Sequence, residues 1–143
     1  MGTISFKHYD AWILLTIPFE GEGIDMEGII GNADAINHAI PNDDEIEGAL
    51  DRAMKAGLIE INNDKFRFKK EKKDEIEAVI KKNRSIHKSW DDLETYLNKQ
   101  SWPIVSQDDF KLKPGETKKA YEKYNKKFWK AYKELDKKKS KKT

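Results

Sequence analysis

Cysteine is absent from this 143-residue chain, which excludes disulfide bonds and thiolate metal sites and is typical of a reducing compartment. Long apolar runs are also missing, because the longest near the start, residues 11–17, is far too short to span a bilayer. That run has neither a basic leader nor a small-residue cleavage site, so we expect a cytoplasmic protein that does not insert into membranes. With 37% apolar and 38% charged residues, the composition predicts one modest core surrounded by long solvated helices.

Patterns of catalytic and metal-binding residues are equally scarce. His8, His38 and His87 lie in different predicted elements, and no two of them have the spacing of metal ligands. The glycines between residues 21 and 31 lack the Lys-Ser/Thr ending of a phosphate-binding loop. We therefore expect no enzymatic activity, no catalytic residue, no metal and no cofactor.

Charge is distributed unevenly although the net charge is only +2. Residues 1–68 contain five basic and thirteen acidic side chains, and residues 69–143 contain 23 basic and 13 acidic ones. Such asymmetry fits either a basic arm for a polyanion or two parts of the chain that attract each other.

Three helices are predicted before residue 57. The first covers residues 8–17 and is closed by Pro18, and the second begins after the N-cap Asp25 and ends before Pro41. The third covers residues 43–55 and begins with a capping-box sequence. Its apolar positions recur at helical spacing and predict one buried stripe: Ile46, Ala49, Leu50, Ala53 and Met54.

A β-hairpin is predicted after Gly57, which occupies the position of a left-handed helix C-terminus. Residues 58–61 and 65–68 alternate between apolar and polar side chains, and residues 62–64 form the turn. Together the helices and hairpin should bury a set of large side chains: Trp12, Leu15, Ile30, Ile46, Leu50, Ile61 and Phe68.

Three helices followed by a hairpin are the element order of a winged helix-turn-helix. Residues 53–60 (AMKAGLIE) resemble the end of the recognition helix and the start of the wing in MarR- and PadR-like regulators. Residues 32–41 (NADAINHAIP) are similar to a string in a group of uncharacterised bacterial winged-helix proteins. The resemblance covers residues 6–69. It implies a mainly α, α+β fold in which helix 43–55 faces the DNA groove and residues 58–69 form the wing, with a helical C-terminal extension.

The extension is predicted to have three parts: a long helix over residues 70–98, a loop over 99–115, and a Lys-rich amphipathic helix and tail over 116–143. The first part has a heptad seam, which favours a homodimer through residues 76–97 and leaves packing within the chain as the alternative. The seam positions are Ile76, Val79, Asn83, Ile86, Trp90, Leu93 and Leu97. A break near Ser89, which resembles a new capping position, is also compatible with the pattern.

The last predicted helix, residues 116–136, interleaves aromatic and lysine side chains. It is interpreted either as a polyanion-binding arm or as an amphipathic helix whose aromatic face packs on the first domain while its lysines stay solvated. We expect the second, because large apolar side chains gain about 1.5–3 kcal/mol each on burial. The aromatic face contains Tyr121, Tyr124, Phe128, Tyr132 and Leu135.

The predicted third helix has an acidic outer face, which consists of Asp43, Asp44, Glu47, Asp51, Arg52 and Lys55. Affinity for duplex DNA comes mainly from Lys and Arg that displace counterions, so this face should repel phosphates. We therefore expect that helix 43–55 is not a conventional base reader.

Two functions follow from these patterns. The first is a transcriptional regulator or accessory nucleic-acid-binding protein that contacts the DNA backbone without sequence specificity through the wing and the extension, at Lys65, Arg67, Lys69, Lys70, Lys126, Lys127 and Lys130. The alternative is a protein-docking module in which Asp44, Glu47 and Asp51 meet a basic protein partner.

Overall fold

A computed structural model of the chain describes residues 2–82 and 85–141, with side chains through residue 137. Within these residues the fold is mainly helical, with two small antiparallel sheets, which confirms the predicted α+β class. None of its helices combines the length and the apolar character needed to cross a membrane. The elements are β1 Thr3–Ile4, α1 His8–Leu14, α2 Met26–Asn37, α3 Asp43–Lys55, β2 Ile59–Asn62, β3 Lys65–Phe68, α4 Lys70–Lys81, α5 Ile86–Asn98, β4 Trp102–Pro103 and α6 Glu116–Lys141.

The second and third helices begin where their capping residues predict, and α1 begins at His8 as expected from the sequence. The Asp25 side chain accepts a hydrogen bond from the Gly28 amide at the start of α2, and Asn42 and Glu45 form a reciprocal capping box at the start of α3. The prediction for α1 was three residues too long, since the helix ends at Leu14 rather than at residue 17. There the Thr16 amide donates a hydrogen bond to the Ile13 carbonyl, three residues earlier, which tightens the last turn.

The predicted hairpin forms, but its first strand is shifted by one residue to Ile59–Asn62, so the turn contains only Asn63 and Asp64, which both adopt positive φ. Two successive left-handed residues match the twist of a tight antiparallel hairpin. Phe66 and Phe68 are buried, but Ile61 is 47% exposed, so its predicted burial was wrong. Ile61 lies on the outer strand of the hairpin at this position, because its partner Phe66 of β3 also pairs with Ile24 on the other side.

One continuous hydrophobic core joins the two halves of the chain. Its first half contains Trp12, Ile30, Ile46 and Leu50, as predicted, and Leu15 packs against it partly buried. The second half of the chain adds further buried side chains to the same cluster: Ile76, Leu93, Leu97, Trp102 and Ala120. The packing of residues 6–69 is therefore completed by the extension.

The single helix predicted over residues 70–98 is wrong, because α4 ends at Lys81 and α5 begins at Ile86. The two helices pack against each other, and the Ser89 hydroxyl donates to the Ile80 carbonyl across their contact. Ser89 is thus buried inside α5, and the new helix starts at the N-cap Ser85 instead.

Much of the heptad seam is buried in the hydrophobic core of this same chain. Ile76, Leu93 and Leu97 are fully buried in the core, as the intramolecular alternative requires, whereas Ile86 is exposed. Asn83, the polar position of the seam, lies outside the described residues. In this conformation the three buried side chains are not available to a second copy.

The segment predicted as a loop over residues 99–115 contains a short strand, β4, that pairs with β1 near the start of the chain. Trp102 secures this contact, since its indole donates to the Leu97 carbonyl and its ring packs edge-on against Phe6. Strands of two residues carry too few side chains for an alternating pattern.

The last helix, α6, crosses α2 with its N-terminal half. Ala120 is buried there, and the Tyr124 hydroxyl donates to Asp34 over 2.6 Å. That hydrogen bond raises the pKa of Tyr124 to about 12. A Cβ atom added at Gly31 would lie 3.1 Å from the Tyr124 ring, so a glycine permits this close crossing.

The C-terminal half of α6 leaves the body, which corrects the predicted burial of its aromatic face. Phe128 is 49% exposed, Tyr132 55% and Leu135 60%. The helix also continues through Lys141, where a tail was predicted from residue 137. At about 1.5 Å per residue, α6 is roughly 39 Å long and α2 roughly 18 Å, so α2 can cover only half of it.

Candidate nucleic-acid interface

An extended segment of the chain, residues 105–113, lies across the outer face of α3, and we call it the strap. The Asp51 carboxylate accepts the Phe110 amide, and Glu47 accepts the Leu112 amide, both at 2.8 Å. The strap is also held at its start, where the Val105 amide donates to the backbone carbonyl of Lys55. The acidic face predicted to point into solvent is therefore occupied by backbone donors of the same chain.

The geometry of the two elements explains this fit. Residues four apart on a helix, such as Glu47 and Asp51, are separated by a rise of about 6 Å. Amides two residues apart on an extended chain, such as those of Phe110 and Leu112, are separated by about 6.6–6.8 Å. One helical turn with two carboxylates therefore matches two successive outward amides of an extended strand.

Ion pairs extend the contact between α3 and the strap. The Lys55 ammonium lies 2.6 Å from Asp109 and 3.1 Å from Asp51, and these hydrogen bonds raise the pKa of Lys55 above its ordinary value. After the strap, the Thr117 hydroxyl donates to Asp43 at the first turn of α3. In the sequence, the apolar Phe110 and Leu112 alternate with lysines, which is a weak indication of an extended segment. Both side chains are half-buried in the structure.

The predicted docking residues are thus divided. Glu47 and Asp51 are bound to the strap, and only Asp44 is exposed and without a hydrogen bond within the described part of the chain. Arg52 was predicted to lie outside, but it turns inward and binds the buried Asp10 through two hydrogen bonds. The outer face of α3 is therefore closed to a groove or a partner while the strap is in place.

Removing both strap-binding carboxylates should release the strap. We expect Glu47→Ala with Asp51→Ala to lower the unfolding free energy by about 1–3 kcal/mol, because two charge-assisted hydrogen bonds are lost at a partly solvated site. Trypsin should then cleave faster after Lys111, which limited proteolysis with mass spectrometry measures.

The control for this experiment is Asp44→Ala, which removes a carboxylate of the same helix that does not touch the strap. It should leave the rate of cleavage after Lys111 unchanged. Equal rates in the double variant and the parent chain would show that the two carboxylates do not hold the strap.

The predicted cations of the hairpin are partly neutralised. Lys65 lies 3.4 Å from Glu22, and Arg67 lies 2.9 Å from Glu60. Exposed pairs of this kind contribute little to stability, but they reduce the positive field of the hairpin. Lys69 and Lys70 follow the hairpin and have no ion-pair partner among the residues that the structure describes.

The lysines of α6 likewise differ in whether an ion pair neutralises them. Lys127 binds Glu27 of α2 over 2.7 Å, and this hydrogen bond raises the pKa of the ammonium. Lys126 and Lys130 have no ion-pair partner in the described part of the chain, and with Lys133 they surround Trp129 in a shallow depression.

Trp129 is one of the aromatic side chains interleaved with lysines in the predicted polyanion-binding arm, but it was not among the predicted nucleic-acid-binding residues. Its ring is 49% exposed and packs edge-on between Phe128 and Tyr132, with 5.6 Å between ring centroids in each pair. Its position could have been found from the helical spacing, because Lys126 precedes it by three residues and Lys133 follows it by four. We call residues 125–133 the aromatic–lysine face.

No known protein family, curated protein or solved structure matches this chain. Within the described residues, no three His, Asp or Glu side chains are grouped so that they could hold a metal ion. A function can therefore be inferred only from the chemistry of the exposed surfaces, among which the aromatic–lysine face is the most distinctive.

Proposed function

We propose that this chain is a nucleic-acid-binding protein with a winged-helix body, and that it contacts the phosphate backbone mainly through the aromatic–lysine face of α6. The order of α1, α2, α3 and the β2–β3 hairpin supports the winged-helix assignment. The observation that carries the binding proposal is Trp129, half-exposed among three lysines on a helix that projects beyond the body.

The charge of α6 favours a polyanion. Lys126, Lys130 and Lys133 follow one another at spacings of four and three, so they share one side of the helix. Displacement of counterions by such lysines is the main source of affinity for a nucleic-acid backbone. Lys69 and Lys70, which follow the hairpin, would supply a second and weaker backbone contact.

The exposed rings favour a nucleic acid over other polyanions. Aromatic side chains beside a cationic track stack on bases, and this stacking tolerates any sequence. The strap argues against sequence-specific readout, because it occupies Glu47 and Asp51 on the face of α3 that would meet base edges in a major groove. Binding should therefore be non-specific in sequence, as expected for an accessory protein rather than an operator-reading regulator.

The proposal is tested by fluorescence anisotropy with labelled random-sequence duplex and single-stranded DNA at a series of salt concentrations. In the triple variant Lys126→Gln, Lys130→Gln and Lys133→Gln, we expect the slope of log K against log salt to become shallower by about 2–3 units, since about three phosphate contacts are lost. Trp129→Ala should weaken the single strand more than the duplex.

The matched control replaces three exposed lysines at the end of α4 and on or after α5, at positions 82, 88 and 99, with glutamine. It changes the net charge equally and should leave the salt slope within one unit of the parent chain. The proposal would be overturned by equal losses in both triple variants, or by no binding of either DNA at low salt.

Docking of a basic protein on α3 is the alternative, and its support is narrower. Of the three residues predicted for it, Glu47 and Asp51 already bind the strap, so a partner would have to displace residues 105–113. A strap-released double variant that gains affinity for a basic protein would favour this alternative.

A further inference from the structure

The strap lies on the surface of the molecule between two buried anchors. Trp102 before it is 3% exposed and Ala120 after it is 7% exposed, so both ends of the segment are fixed in the core. Between them, Phe110 and Leu112 pack against the core but are only half-buried, and none of residues 105–113 belongs to the buried cluster. The strap can therefore open locally while the rest of the molecule stays folded, as lightly packed surface segments do.

The groove under the strap is formed by α3 and the hairpin. On the helical side, Glu47 and Asp51 accept main-chain amides of the strap at 2.8 Å. On the hairpin side, the buried Phe66 ring packs edge-on against Phe110, with 5.6 Å between the ring centroids. A space of about 200 Å³, which Lys55 also lines, remains between α3 and the strap. The strap therefore occupies this groove without filling it.

The contacts of the strap define what the groove can recognise. In the binding of extended peptides, main-chain hydrogen bonds supply affinity for any sequence, and sites for alternate side chains supply specificity. Here the side-chain contacts are those of Asp109, which lies 2.6 Å from the Lys55 ammonium, of the Phe110 ring and of Leu112. Lys111 between them is exposed. The groove thus fits an extended segment with an acidic, an aromatic, any and an aliphatic residue in that order.

We propose that the strap is an internal ligand of this groove, and that an extended segment of a partner protein with the same residue pattern displaces it. Such a partner need not be basic, because the α3 carboxylates bind main-chain amides rather than cations. Since the strap is tethered beside the groove, it competes with a partner at an effective concentration on the order of millimolar, which makes the docking autoinhibited. The groove is separate from the aromatic–lysine face, so this proposal does not rest on nucleic-acid binding.

Hydrogen exchange of the full chain, followed by NMR, tests whether the strap opens by itself. The amides of Phe110 and Leu112 should exchange at least about tenfold faster than the core amides of Leu50 and Ala53, and low denaturant concentrations should not change their rates. Equal rates with the same dependence on denaturant would mean that the strap leaves α3 only when the whole chain unfolds. That result would overturn the proposal.

A labelled synthetic peptide with the sequence of residues 104–114 tests the groove itself. In the double variant Phe110→Ala with Leu112→Ala, the strap loses its apolar contacts and the groove stays intact. Fluorescence anisotropy should show that this variant binds the peptide at least about tenfold more tightly than the parent chain does, because the internal competitor is weakened. Circular dichroism of the variant establishes that its fold is retained.

Matched controls separate the groove from unspecific binding. Adding Glu47→Ala and Asp51→Ala to the double variant should remove the gain in affinity, whereas adding Asp44→Ala, on the same helix but away from the strap, should preserve it. A peptide with alanine in place of its phenylalanine and leucine has the same charge and should bind at least about tenfold more weakly. Equal affinities of the parent chain and the double variant, equal binding of the two peptides, or no binding to either chain would each overturn the proposal.

Discussion

Replacing Arg52 with methionine should lower the unfolding free energy by about 3–5 kcal/mol, which is the usual loss when one partner of a buried ion pair is removed. Asp10 is fully buried and accepts hydrogen bonds from the Arg52 Nε and Nη2 atoms at 2.6 and 2.7 Å, and from the Lys7 amide at 2.8 Å. Without the guanidinium, a carboxylate would remain in the interior with only the amide as partner. Chemical denaturation followed by circular dichroism measures the loss.

The double variant Asp10→Leu with Arg52→Met completes a thermodynamic cycle. We expect it to be more stable than the sum of the two single losses implies, because no charge is then left buried. Lys55→Met is the matched control one turn further along α3, and its effect should be much smaller because its partner Asp109 is 64% exposed, whereas Asp10 is fully buried. A loss of less than about 1 kcal/mol for Arg52→Met would mean that water reaches Asp10 once the arginine is gone.

Truncating Leu50 to alanine should cost about 2–5 kcal/mol, because the substitution removes apolar contacts and leaves a cavity in the core. Leu50 is fully buried on the inner stripe of α3 and belongs to the cluster that both halves of the chain share. Ile61→Ala is the appropriate control, since Ile61 also lies in the first half but is 47% exposed. If the two variants unfold at the same denaturant concentration, the inward face assigned to α3 is wrong.

The parts of the fold that could be predicted from the sequence are those encoded by neighbouring residues. Caps such as Asp25 and Asn42 satisfy backbone donors of their own helices, so they mark α2 and α3 without any tertiary information. The hairpin could also be predicted from the sequence, because two short alternating runs flank a turn whose residues Asn63 and Asp64 tolerate positive φ. The inner stripe of α3 followed from its 3.6-residue period.

The features that were missed depend on contacts between distant residues. The strap is held by α3 carboxylates more than 50 positions away, and such pairing leaves only the short alternation of Phe110 and Leu112 as a local pattern. One long helix was favoured because Ile76 and Leu93 keep a heptad spacing even though their helices fold against each other, and the alternative break was placed near Ser89 rather than after Lys81. Phe128 and Tyr132 are exposed because α2 is too short to cover the whole of α6, and the length of α2 cannot be deduced from the sequence of α6.

The candidate surface was only half predictable for the same reason. Lys126 and Lys130 were selected as cations, and their spacing alone placed them on one side of a helix. Whether Lys127 or Lys65 would be neutralised depended on Glu27 and Glu22, which belong to other elements. Ion pairing between elements changes which cations can meet a phosphate, and composition cannot show it.

The pairing of β1 with β4 has a consequence for the order in which the molecule assembles. Ile4 and Trp102 are separated by about 100 residues, so closing that loop in an otherwise open chain would cost about 4 kcal/mol of chain entropy. The β2–β3 hairpin, closed by a two-residue turn, carries almost no such cost. The hairpin can therefore form early. The β1–β4 sheet can form only after α4 and α5 have folded back and brought its two strands together. The rate of reaching the native state should then be set by the docking of the second half of the chain, since folding slows as contacts become more distant in sequence.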